Sequence, residues 1–152
     1  MPAPVFIVEY DPEWPVRFEA ARSAMTKAVG SLVLSVEHVG STAVPGLAAK
    51  PIIDIMPGLR SFEDGHACVE PLESVGYGYR GENGIPGRHY FDYSGVDGTQ
   101  HLHMVVSGSD FWTRQIRFRD YLRAHPDSAQ EYSTLKYSLA EQYRTDRVAY
   151  TE

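Results

Sequence analysis

Several side chains able to do chemistry crowd one short stretch. It runs from Glu37-His38-Val39-Gly40-Ser41-Thr42 through a small, turn-rich segment to Lys50-Pro51-Ile52-Ile53-Asp54-Ile55. A Gly-Ser step leaving a strand exposes backbone N–H groups and a hydroxyl, a combination suited to a phosphate oxygen. Asp54 follows inside an apolar run. In extended chain it shares a face with Ile52 and Met56, while Ile53 and Ile55 face the other way. A carboxylate in such surroundings needs a metal ion, an arginine or another hydrogen-bond donor. On spacing alone the plainer alternative is favoured: Gly40-Ser41 as an ordinary turn, with Asp54 paired to an arginine.

His101 and His103 stand two apart in a strand-like run and so point the same way. With Asp54 they would suit Zn²⁺, Mn²⁺ or Fe²⁺ better than Mg²⁺. One of them could instead be a general base, or both could be hydrogen-bonded to carboxylates on a half-buried strand; the residues leave these readings level. Glu37 is read as the member of the Glu37-His38 step that faces the site, because His38 has the parity of Leu32, Leu34 and Val36. Lys50, Arg88, Arg119 and Lys136 are the candidate clamps on an anion. Arg119 and Arg123 share a helix face, and Lys136 interrupts an apolar face between Leu135 and Leu139. The competing reading is a solvated helix whose arginines pair with Asp120, Asp127 or Glu131; Arg114 and Arg117 are read that way.

The elements that must position these residues follow from pattern. Asp11-Pro12-Glu13 starts a helix whose Trp14, Phe18, Ala21, Met25 and Ala28 form one apolar face, and Gly30 stops it. Residues 32–39 read as a strand, with at most a short helix at 47–49. A strand over 51–56 is expected to end at Pro57-Gly58. A helix over 61–75, capped by Ser61, precedes strands at 77–80, 88–93 and 101–106. Residues 81–87 and 94–99 read as turns. Two helices complete the chain, at 110–125 and from 127 onward, the second presenting Tyr132, Leu135, Leu139 and Tyr143 on one face. This is a mixed α/β or α+β pattern in one domain, residues 1–152, without repeats.

Composition narrows the partners. A formal charge of −6 disfavours general nucleic-acid or anionic-membrane binding while leaving room for a local basic cleft. No apolar run reaches the roughly 20 residues of a membrane span, and residues 1–9 do not read as a signal peptide. The single cysteine, Cys68, cannot pair internally and is read as buried and inert. A cytoplasmic location is expected.

The segment from Glu37 to Ile55 resembles the signature of the GrpB family, departing from its usual form only at Val39, where isoleucine is usual, and Ala43, where serine is. Tyr10-Asp11-Pro12-Glu13-Trp14-Pro15, His101-Leu102-His103-Met104-Val105-Val106, the run from Phe118 to Pro126, and Tyr132 with Leu135-Lys136 extend the resemblance over nearly the whole chain. It implies a nucleotidyltransferase-like mixed sheet flanked by helices, with two C-terminal helices. In that superfamily a Gly-Ser turn holds a nucleoside triphosphate and two aspartates, one residue apart on the next strand, bind magnesium. Gly40, Ser41 and Asp54 match the turn and the first aspartate, whereas Met56 stands in place of the second. The resemblance thus implies a nucleotide or other phosphate-bearing ligand on Gly40, Ser41, Lys50, Arg88, Arg119 and Lys136. It also implies a divalent metal (Mg²⁺ or Mn²⁺, or Zn²⁺ with the histidines) on Asp54, His101 and His103, and catalytic roles for Asp54, His103 and Glu37. Two alternatives stand beside transfer of a nucleotidyl group. One is an accessory module that keeps the fold without catalysis and serves a protein partner, since GrpB-like domains occur fused to dephospho-coenzyme A kinase. The other is a metal-dependent hydrolase using Asp54 and the histidine pair.

Overall fold

The amide of Glu13 donates to Asp11 Oδ1 at 2.9 Å and that of Trp14 to the Asp11 carbonyl at 3.0 Å, which launches the first helix as expected. The computed structural model describes residues 7–142; Tyr143 lies outside them. Helix α1 (Glu13–Val29) buries Trp14, Phe18, Ala21, Met25 and Val29, and Gly30 ends it with φ 57°. Then follow β1 (Ser35–Val39), β2 (Ile52–Leu59), α2 (Asp64–Glu73), β3 (Gly78–Tyr79), β4 (His89–Gly95), β5 (Gly98–Val106), α3 (Asp110–Ala124) and α4 (Pro126–Gln142).

The five strands form one sheet in the order β1-β2-β5-β4-β3. Only the β2–β5 pair is parallel; the others are antiparallel. Helices α1 and α2 cover one face, where Trp14, Phe18, Met25, Ile55, Leu72 and Leu102 belong to the main core. Burying a side chain of that size stabilises by about 1.5–3 kcal/mol. On the other face Phe111, Trp112 and Ile116 of α3 pack on Val39, Met56 and Val105. Helix α4 joins through a smaller cluster in which Ala129 and Leu122 meet Val44 and Leu47.

Several boundaries differ from the sequence reading. Residues Gly30–Leu32 form a single 3-10 turn, so β1 starts at Ser35 rather than at 32. No helix forms at 47–49; the 3-10 turn lies at Ser41–Ala43, and Ala49 instead exchanges two backbone hydrogen bonds of 3.0 Å with Val8. Strand β2 runs straight through Pro57-Gly58. Proline removes one donor, and the ladder to β5 registers Ile55↔Leu102 and Gly58↔Val105 with no pair between. Gly58 is required there: a Cβ would lie 2.8 Å from the Trp112 ring that packs on the strand. Ser61 lends its carbonyl, not its hydroxyl, to the start of α2, accepting the Asp64 amide at 3.2 Å. Residues 94–99 are mostly strand, the β4–β5 register closing with Gly95↔Gly98 around Val96-Asp97. Pro126 opens α4, where its missing N–H costs nothing.

Met56 shares the sheet face of Asp54, as alternation requires, yet its exposure is 0% because α3 lies over it. It does not occupy an open cleft position. Met56→Asp would place a carboxylate among apolar neighbours, and is expected to lower the unfolding free energy by about 3–5 kcal/mol. Met56→Leu should cost less than about 1.5 kcal/mol. Urea unfolding checks both, and a Met56→Asp protein as stable as the parent would contradict this burial.

Candidate functional site

The chain leaves β1 through Gly40, whose φ of 73° is left-handed. A Cβ there would stand 2.6 Å from Asp54 Oδ2, so glycine is what lets the Asp54 carboxylate lie against the turn. The expected phosphate-seating glycine therefore serves first as a bed for Asp54. Beyond it, Ser41 and Thr42 form the 3-10 turn, and Thr42 Oγ1 donates to the Ile52 carbonyl at 3.1 Å, tying the turn to the start of β2.

Asp54 and the two histidines meet as the strand parity requires. Asp54 is paired with His101 in the parallel β2–β5 register. His103 Nε2 lies 3.0 Å from Asp54 Oδ1, and His101 Nδ1 lies 3.9 Å from the same oxygen. Arg88 Nη1 is 3.1 Å from His103 Nδ1. A guanidinium only donates, so Nδ1 accepts and the ring proton sits on Nε2, where it is given to Asp54. This fixes His103 as one neutral tautomer. Burial holds the pKa of His101 below its usual value, partly offset by Asp54. Tyr90, not singled out from sequence, lies 5.6 Å centroid to centroid from both imidazoles.

Arg88 was expected on a phosphate. It is 5% exposed and is used up inside the protein. Its Nη2 donates to the carbonyls of Glu82 (3.2 Å) and Asn83 (3.1 Å), and the guanidinium lies 4.5 Å over the Tyr90 ring. It thus fastens the 81–87 loop and orients His103. Arg119 is also committed elsewhere: Nη1 donates to Glu37 Oε1 at 2.7 Å and to the His38 carbonyl at 3.1 Å, and Nε to Asp120 at 2.9 Å. Glu37 does face the α3 side of the sheet, but this ion pair places it and Arg119 in a separate groove, shared with Arg22 and Arg123, rather than beside Asp54. A contact between residues so distant in sequence leaves no trace in local spacing.

Ser41, Thr42, Lys50, Asp54, His101 and Lys136 line one cavity of about 170 Å³. Lys136 reaches it from α4. Its Nζ donates to Ser41 Oγ and to the Ala48 carbonyl (3.3 Å), and sits 4.8 Å from the Tyr132 ring centroid. The lysine is 8% exposed, and burial, reinforced by nearby Lys50 and opposed by Asp54, lowers its pKa to about 8. The Ala48 amide donates to Ser133 Oγ at 3.0 Å, one turn earlier on α4, so the helix is held in register with the turn. Thr42, missed in the sequence reading, carried no signal beyond standing beside Ser41.

A resident divalent ion does not fit this donor set. Asp54 Oδ1 is engaged by His103, both ring nitrogens of His103 are occupied, and the place of a second carboxylate is the buried Met56. Among the described residues no group of three or more His, Cys, Asp or Glu side chains is placed to hold a metal.

The sheet, its flanking helices and the Gly-Ser turn before an aspartate-bearing strand define a nucleotidyltransferase-like fold. The Cid1 poly(U) polymerase superimposes with a TM-score of 0.61 at 10% identity, over 90% of this chain and 42% of that one. The chain belongs to the GrpB family, whose profile matches residues 4–152. The conserved protein GrpB from Enterococcus faecalis superimposes with a TM-score of 0.89 at 36% identity, over 95% of this chain and 88% of that one. The UPF0157 protein YqkA of Bacillus subtilis is 41% identical over 139 residues, which are 91% of this chain and 40% of YqkA. A dephospho-CoA kinase of Mycolicibacterium paratuberculosis is 31% identical over 173 residues, 97% of this chain and 42% of the kinase. The chain thus spans less than half the length of either of these two relatives. No helix among the described residues is long and apolar enough to cross a membrane.

His38 supports the site from the other side of the sheet. It stacks on Phe18 (4.8 Å, 10°) and, because the Thr42 hydroxyl proton goes to Ile52, its Nε2 must donate to Thr42 Oγ1 at 3.0 Å. Burial lowers its pKa to about 4. The unfolded chain takes up this proton near pH 6.5 and the folded one only near 4, so the stabilisation is complete above 6.5 and is lost as pH falls through 4. It should amount to a few kcal/mol, on the order of 3. His38→Gln keeps a donor to Thr42 and is expected to flatten the fall in urea-unfolding free energy between pH 6.5 and 4; unchanged slopes would exclude His38 as its source.

Proposed function

We propose that this chain binds a phosphate-bearing small molecule of the nucleotide class in the cavity of Ser41, Thr42, Lys50, Asp54, His101 and Lys136, as a binding module built on a nucleotidyltransferase-like fold. The observation that carries this reading is the buried Lys136 ammonium, aimed at Ser41 inside a cavity that Lys50 also lines. A buried cation is costly unless oxygen atoms surround it. Ser41 Oγ and the Ala48 carbonyl supply two, and phosphate oxygens would complete the shell.

Binding is favoured over group transfer because Met56, where transfer by paired carboxylates would place an acid, is packed under α3. The likeness to part of a dephospho-CoA kinase supports an accessory role beside a protein partner that handles phosphates. The cavity is smaller than the roughly 300–1,000 Å³ of drug-sized pockets, so it would seat phosphate groups and leave the rest of the ligand outside.

ATP serves as the probe. It is expected to raise the melting temperature by mass action. Lys136→Met keeps the apolar stem and should weaken ATP binding by tenfold or more, about 1.4 kcal/mol. Binding needs the protonated amine, and the groups facing it are Lys50, Asp54, His101 and Tyr132. With a pKa of about 8 in the free protein, affinity should be steady below about pH 7 and fall roughly tenfold by pH 9. Equal calorimetric affinities in parent and Lys136→Met would remove Lys136 from the site.

A further inference from the structure

Granting the phosphate reading above, we infer that the anion in this cavity is neutralised by lysine and is bound without a divalent ion. The charges lining the cavity run opposite to those of a cation site. Asp54 is the one carboxylate among the described side chains lining the cavity, and Lys50 and Lys136 line it as well. A dication entering there meets ammonium groups, whereas a phosphate meets them favourably.

The obstacle lies in the histidine as much as in the missing acid. To ligate a metal through Nε2, His103 would have to move its proton to Nδ1. That atom faces Arg88 Nη1 at 3.1 Å, and two N–H donors would then oppose each other. Arg88 cannot readily turn away, since its Nε and Nη2 groups hold the carbonyls of Glu82 and Asn83. Asp54 Oδ1 is correspondingly fixed as the acceptor of His103, and Oδ2 lies against the Gly40 backbone. Among the described side chains Asp54 and His101 would remain, a set poorer in oxygen ligands than the paired carboxylates that commonly hold Mg²⁺ on substrate phosphates. Asp54 is therefore the anchor of an oriented Arg88–His103–Asp54 chain, and its charge opposes an arriving phosphate.

This gives Asp54→Asn opposite signs in the two cases. The amide oxygen still accepts from His103, so the fold and melting temperature should be retained while the negative charge is lost. Calorimetric titration with inorganic triphosphate tests it on the parent, Asp54→Asn and Lys136→Met, in excess EDTA and in excess Mg²⁺ or Mn²⁺. The parent is expected to bind in EDTA and not to bind more tightly with metal. Asp54→Asn should bind roughly threefold or more tightly in EDTA, and Lys136→Met should lose the binding. Binding that appears only with metal and is lost in Asp54→Asn would overturn the inference while leaving the phosphate pocket standing. No binding under either condition would overturn the pocket itself and the inference with it. Should Asp54→Asn misfold, the EDTA and metal titrations of the parent alone decide between these outcomes.

Discussion

The ammonium of Lys136 ties α4 to the turn that follows β1, through Ser41 Oγ and the Ala48 carbonyl. Around this contact the C-terminal helix is placed: Ser133 takes the Ala48 amide one turn earlier, and Ala129 and Leu122 close over Val44 and Leu47. A charged group so deeply placed lowers stability unless oxygen atoms surround it. The cavity wall on the opposite side of Lys136 is formed by β2 and β5, so the cavity lies between the sheet and a helix held by the hydrogen bonds of Lys136 and Ser133 and a small apolar cluster.

Behind the cavity a second polar chain runs from the 81–87 loop through Arg88 and His103 to Asp54. Each member has its proton placement dictated by the next, because a guanidinium can only donate and a carboxylate only accept. Such a chain holds Asp54 in one orientation and leaves His101 as the histidine that lines the cavity. The fold is nucleotidyltransferase-like; on its β2 strand Asp54 accepts a hydrogen bond from His103 and Met56 packs under α3.

Much of this was legible in the sequence. Alternation correctly put Asp54, His101 and His103 on one face, and the interruption of an apolar helix face at Lys136 pointed to the lysine that enters the cavity. What alternation reports is the face, not the depth: Met56 has the parity of Asp54, yet α3 lies over it and leaves Asp54 partly open. The arginines were misread for a related reason. Arg88 and Arg119 carry the right charge, but their partners are loop carbonyls, His103 and Glu37, most of which come together only when distant segments pack. The boundaries of β2 and of the β4–β5 hairpin were missed because Pro57-Gly58 and residues 94–99 carry turn residues. The sheet tolerates them, one gap in the ladder at Pro57 and room for Trp112 at Gly58.

If the Ser41–Lys136 contact is the seat of a phosphate, a crystal structure of the chain grown with inorganic triphosphate and EDTA should place a phosphate group within hydrogen-bonding distance of both Ser41 Oγ and Lys136 Nζ, with Met56 still buried and His103 still on Asp54. Triphosphate found instead in the Arg22–Arg119–Arg123 groove, with the Ser41–Lys136 contact undisturbed, would contradict it.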